Sequence, residues 1–166
     1  MAGKIQRIVP NLWFASQAEE AVRFYTSVFP NSSIGSITRY GKAGHDIHGM
    51  AEGTVMTVEF KLDGQDFLAL NGGPVFTFNE AISFIINCDT QEEADYYWDK
   101  LTEGGDPNAQ QCGWLKDKFG VSWQVTPIEI NELMNGSDPE KSERMMEALL
   151  QMKKLDIAAL KKAYDG

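Results

Sequence analysis

Few side chains in this sequence are of kinds that do chemistry unaided, and their spacing sorts them quickly. His45-Asp46-Ile47-His48, with Glu52 close behind, brings two imidazoles and two carboxylates together. Such a group can hold a divalent transition metal or supply a general base. It sits in a glycine-rich stretch between Tyr40 and Gly53, however, and flexible ligands lack the outer hydrogen bonds that orient a metal site. A polar loop that happens to contain two histidines is the expected reading. The cysteines, Cys88 and Cys112, lie outside any Cys-x-x-Cys spacing, which fits a reducing cytosol; Cys88, ending an apolar run, is expected to be buried and inert. Asn71-Gly72-Gly73-Pro74 follows a strand-like run, as a cofactor-cradling turn would. Pro74 and the β-prone Val75-Phe76-Thr77-Phe78 do not open a helix, so it reads as a turn. Spacing assembles no Ser-His-Asp or Cys-His constellation.

The elements that must position these groups come in two similar rounds. Ile5–Phe14 reads as a strand, and Ser16-Gln17-Ala18-Glu19 as a capping box at a helix start. Ala21, Val22, Tyr25, Val28 and Phe29 follow at helical spacing until Pro30-Asn31. Ile82–Cys88 is a second strand-length run, Asp89-Thr90-Gln91-Glu92-Glu93 a second capping signal, and Ala94, Tyr97, Trp98 and Leu101 a second helical face ended by Gly104-Gly105. Superposing Glu19-Glu20-Ala21 on Glu92-Glu93-Ala94 lays Phe24-Tyr25 on Tyr97-Trp98 and Pro10 on Ser83. Each round continues in strands: 33–40, 54–62 and 65–71 in the first, 111–116 and 121–126 in the second, with a vestigial strand near Asn108. Asp63-Gly64 is a strong hairpin signal. After Pro127 the chain turns helical, with Asp138-Pro139 and Asp156 as helix starts.

At 166 residues, 43% hydrophobic and 23% charged, the chain has the usage of an ordinary globular domain. A net charge of −9 without a basic stripe argues against nucleic acid and anionic membranes as partners. No signal-peptide h-region or membrane-length apolar run appears, and a cytoplasmic location is expected.

The stretches Leu12-Trp13-Phe14, Ala18-Glu19-Glu20-Ala21, Phe29-Pro30, Leu70-Asn71-Gly72-Gly73-Pro74, Cys112-Gly113-Trp114-Leu115-Lys116-Asp117, Gly120-Val121-Ser122-Trp123-Gln124 and Met152-Lys153-Lys154-Leu155-Asp156-Ile157 resemble the PhnB-like branch of the vicinal oxygen chelate superfamily. Glyoxalase I, bleomycin-resistance proteins and extradiol dioxygenases belong to that superfamily, and members of the branch often carry the label demethylubiquinone methyltransferase. The resemblance implies an α+β fold with two βαβββ modules forming a curved mixed sheet. Residues 1–136 would form that domain (module one about 4–73, module two about 80–128), and 137–166 a C-terminal helical extension. It also implies four metal-ligand positions, which fall on Pro10, Ala69, Ser83 and Gln124. Proline and alanine cannot ligate, and serine and glutamine are weak neutral donors. No metal and no other cofactor is therefore expected.

A two-residue turn at Asp63-Gly64 sets Val58 opposite Ala69 and Phe60 opposite Phe67. The resemblance aims Ala69 into the concavity. The expected site is thus an apolar floor of Phe60, Phe67 and Ala69 with Asn71, Ser83 and Gln124 as hydrogen-bonding groups and Arg39 and Trp114 at strand ends. Simple packed core is the competing reading of the same face. Gln124 can donate and accept at once, which suits a carbonyl or hydroxyl on an uncharged ligand. The leading expectation is a metal-independent small-molecule binder or cofactor-free enzyme. The alternatives are the labelled methyltransferase and a metal-dependent lyase or dioxygenase using the loop histidines. The Met- and Leu-rich C-terminal helices suggest a homodimer.

Overall fold

Strand pairing in the first half follows from one tight turn. Asp63 and Gly64 both take positive φ, 46° and 76°, and join β3 (Val55–Leu62) to β4 (Gln65–Asn71). The register pairs Val58 with Ala69 and Phe60 with Phe67, as the spacing predicts. With β1 (Asn11–Phe14) and β2 (Ser33–Arg39) these strands form a four-stranded sheet in the order β1-β4-β3-β2. β1 begins only after Pro10, six residues later than expected; residues 5–10 are instead tied down by Gln6, whose side-chain amide exchanges two hydrogen bonds with the backbone of Asp66. The computed structural model describes residues 5–166, so the expected start of module one at residue 4 lies outside them.

Helix α1 (Ala18–Val28) buries Ala18, Ala21, Val22, Tyr25 and Val28, one face of a 3.6-residue period. It covers the side of the sheet that carries Leu12, Phe14, Val58, Phe60 and Ala69, all buried. The expected capping box does not form. Gln17 is the cap residue and its side chain makes no cap bond; Asn71 Oδ1, reaching from β4, accepts from the Ala18 N–H at 2.8 Å. A short helix, α2 (His45–His48), interrupts the loop after β2.

The chain divides into two units, one through Thr77 and one from Phe78 to Gly166. In the second, β5 (Phe84–Cys88), β6 (Trp114–Lys116) and β7 (Ser122–Pro127) form a separate sheet in the order β5-β7-β6 under α3 (Gln91–Thr102). There are thus two sheets rather than one, and the second lacks a fourth strand. The stretch near Asn108 is a 3-10 turn, Pro107–Ala109: Pro107 has no N–H to give a ladder, and Asp106 accepts from the Asn108 N–H at 2.9 Å. At the start of α3 the cap residue Thr90 accepts from the Glu93 N–H, and the Glu93 carboxylate accepts from the Asp89 N–H.

Helices α4 (Ile128–Met134), α5 (Pro139–Leu150) and α6 (Ile157–Asp165) share a core of Ile130, Met145, Leu155 and Leu160. Asp138 and Asp156 cap α5 and α6 as expected. The linker between those helices is laced to the second unit: Cys112 and Gly113 N–H donate to the Met152 and Lys153 carbonyls at 2.8 and 2.7 Å, and Lys154 pairs with Asp95 at 2.8 Å. Residues 137–166, read from sequence as an extension, are an integral part of that unit. Among the described residues no helix is long and apolar enough to cross a membrane.

Candidate functional site

The first-unit residues expected to line a pocket lie on the helix side of their sheet. Ala69 and Val58 are wholly enclosed, so Ala69 is core rather than a cavity floor; Phe60 is buried beneath α1, and it and Phe67 also border the groove of the first sheet. Phe67 is half-buried with its ring 5.3 Å from that of Phe60. Asn71 is consumed structurally. Besides capping α1, its Nδ2 donates to the Val55 carbonyl at 3.1 Å, and its own carbonyl accepts from Tyr40 Oη at 2.6 Å. Arg39 is exposed and donates to the Gly53 carbonyl at 3.0 Å, closing its own loop.

Aligning the two helices by their Glu-Glu-Ala triplets and counting back into the strands assumes equal connections, but Phe14 precedes Ala21 by seven residues and Cys88 precedes Ala94 by six. A shift of one residue sends every strand side chain to the opposite face. Counted back from the last register pair of each sheet, Phe14 with Asn71 and Cys88 with Pro127, Ser83 and Gln124 fall level with Val9 and Leu68, one residue from the Pro10 and Ala69 that the resemblance implies. Both are hydrocarbon side chains without donor atoms. The four positions therefore do not fit a transition metal, and no step of chemistry is routed through one here.

Val9, Phe60, Phe67 and Leu68 border a groove of about 400 Å³ in the first unit, with Gly35, Glu59 and Lys61. Glu59 lies across from α1, as the hairpin register requires, and Lys61 pairs with Asp66.

In the second sheet the predicted polar residues do come together. Gln124 Nε2 donates to Ser83 Oγ at 2.9 Å. Trp114 stands directly opposite Gln124 in the β6–β7 register, so its indole shares that face. One rung away Lys116 opposes Ser122, a residue that sequence reasoning missed. Ser122 is 2% exposed and its Oγ has no hydrogen-bond partner. Alternate residues of one strand share a face, so Ser122 and Gln124 point the same way, opposite to Trp123 and Val125. Period-two patterning over 122–126 carried that signal. Lys116 Nζ is paired with Glu80 at 2.5 Å, which holds the Glu80 carboxyl below its ordinary range.

The face is held in shape by Asp117, at the turn between β6 and β7. Its carboxylate accepts from the N–H groups of Phe119 and Val121, at 2.8 and 3.0 Å, and from Trp123 Nε1 at 2.8 Å. The Lys116-Asp117…Gly120-Val121 motif is thus a turn lock.

Local structure accounts for His48, the Gly72-Gly73 turn and Cys88. His48 Nδ1 accepts from the Met50 N–H at 3.0 Å, so Nε2 carries the proton and donates to the Ala43 carbonyl at 3.1 Å. Its ring also packs on Tyr40 at 4.6 Å, so both nitrogens are engaged in building the loop. Gly72 is a packing glycine: a Cβ there would stand 2.1 Å from the Trp13 ring, and Trp13 Nε1 donates to the Gly73 carbonyl at 3.0 Å. The glycine turn holds an indole, which leaves no cradle for a nucleotide cofactor at that spot. Burial, with the nearby Glu93 and Asp89 charges, pushes the Cys88 thiol up to about 12, so it stays protonated at neutral pH and is no nucleophile.

Residues 6–126 match the family described as 3-demethylubiquinone-9 3-methyltransferase. Among solved structures, the PhnB protein from Bacillus cereus is 41% identical with a TM-score of 0.62, the match covering 74% of this chain and 99% of that one. A protein from Pseudomonas aeruginosa shares the fold at 21% identity and a TM-score of 0.56, covering 74% and 98%. No curated protein sequence matches. Helices α4 to α6 lie beyond the family match.

Proposed function

Because the chain belongs to the 3-demethylubiquinone-9 3-methyltransferase family, the PhnB-like branch of the vicinal oxygen chelate superfamily, we infer that it binds a small organic molecule on the helix-free face of its second sheet, without a resident metal. One observation carries this reading: Ser83, Trp114 and Gln124, drawn from three strands or strand ends, converge on one face beside the unpartnered hydroxyl of Ser122. Gln124 spends its amide N–H on Ser83, which leaves Oε1 as the accepting end and the Ser83 hydroxyl as a donor. An aromatic wall with a few convergent polar groups is the usual composition of a small-molecule site. Nothing in this set is a base or a nucleophile, so binding is favoured over catalysis. The free thiols are in keeping with a cytosolic setting.

Methyl transfer would require a methyl donor, and metal-assisted chemistry a ligand set. Calorimetric titration separates these readings: neither S-adenosylmethionine nor zinc is expected to give saturable heat. Micromolar S-adenosylmethionine binding would restore the methyltransferase, and stoichiometric zinc would point back to His45 and His48.

We further infer a homodimer. β2 is an edge strand exposed along its whole length, with Ile34 and Ile37 on it. An open apolar edge of this kind is normally covered, and an isologous pair is the simplest closed way to cover it. Light scattering should return twice the 18.5 kDa chain mass; a stable monomer at micromolar concentration rules the pairing out.

A further inference from the structure

The segment from Phe78 to Ser83 leads into β5 and meets the second sheet at two points. Glu80 pairs with Lys116, and Ser83 takes the hydrogen bond from Gln124. Ser122 lies on the Gln124 face with its orphaned hydroxyl. Buried hydroxyls without partners are rare because their desolvation is uncompensated. Lys116 stands opposite Ser122 in the β6–β7 register, on the same face. The carboxylate on its ammonium is the chain's own, from a Glu80 side chain that is 61% exposed.

We propose that Glu80 is an internal stand-in for a carboxylate-bearing ligand. When the segment lifts, the ligand's carboxylate replaces that of Glu80 on Lys116 Nζ and accepts a hydrogen bond from Ser122 Oγ, while its apolar body lies along Trp114 and Gln124. This rests on the reading that the helix-free face of the second sheet is the binding site, and it gives the ligand an acidic group. An ammonium and a hydroxyl on opposed residues of one face can be bridged by a single carboxylate in charge-assisted hydrogen bonds. The Glu80 contact is then a competitive gate, since the ligand must displace an intramolecular partner at high effective concentration.

The test uses benzoate, with benzamide as its uncharged twin, titrated into the full chain while the Trp114 indole N–H resonance is followed. Glu80→Gln should bind benzoate about tenfold more tightly than the native chain, the gain of one charge-assisted hydrogen bond. Benzamide should be indifferent to that change. Ser122→Ala, made on the Glu80→Gln background, should weaken benzoate binding without lowering the melting temperature, because it removes only an unpartnered hydroxyl; Lys116→Met should abolish binding. Equal benzoate affinity in native and Glu80→Gln chains, or benzamide binding as well as benzoate, would overturn the proposal while leaving the binding face intact. No movement of the Trp114 resonance with either compound in any variant overturns the proposal and the binding face together.

Discussion

Asp117→Ala is expected to destabilise the protein by about 3 kcal/mol or more, because it strands several buried N–H donors on one carboxylate, each worth about 1–3 kcal/mol when left unsatisfied. The donors are the backbone N–H groups of Phe119 and Val121 and the indole N–H of Trp123, and Asp117 itself is 3% exposed. For a chain of this length that corresponds to a drop in melting midpoint of roughly 10 °C. Asp117→Asn keeps one accepting oxygen and turns an N–H toward a donor, so it should fall between the native chain and Asp117→Ala. Thermal unfolding followed by near-ultraviolet circular dichroism checks both, since Trp123 reports the turn directly. A midpoint unchanged in Asp117→Ala would show that the carboxylate does not hold the β6–β7 turn.

Ala69→Trp should be at least as damaging. Ala69 is wholly enclosed between β4 and α1, and forcing a large side chain into packed core costs about 1–3 kcal/mol and more when the added volume is this great. Glu59→Trp provides the control: Glu59 sits on the neighbouring strand but on the exposed face, so that change should stay within about 0.5 kcal/mol. Equal midpoints for the two variants would mean that Ala69 borders open space and that the first sheet has a pocket beneath its helix. The contrast thus reads out which face of the first sheet is core.

The difference between these faces marks where sequence reasoning stopped. The hairpin register was legible because Asp63-Gly64 permits a single two-residue turn, and it paired Phe60 with Phe67 correctly. Both major helices were legible from the spacing of their buried residues, and Asp138 and Asp156 from their cap chemistry. Which face of the strands met the helix was not legible, since one extra residue between Phe14 and α1 inverts that face and leaves no mark in composition. Asn71 could not be recognised as the cap of α1 because its partner, Ala18, is 53 residues away. Its polarity in an apolar strand looked like a ligand handle for the same reason. In the second sheet Gln124 alternates with the buried Trp123 and Val125, and its side chain meets Ser83, the other position of that half that the resemblance implied. Ser122 was overlooked because period-two patterning puts it on the Gln124 face without showing that its hydroxyl is buried and unpartnered.

The central claim is that the helix-free face of the second sheet is the binding face. A backbone amide footprint of the isotopically labelled protein against a diverse library of small organic fragments, in the presence of a chelator, tests it most directly. The account predicts that binding fragments move the resonances of Ser83, Trp114, Ser122 and Gln124 and leave those of Phe60 and Ala69 in place. Shifts gathered instead around Val9, Glu59 and Leu68, or shifts that appear only when metal is restored, would contradict it.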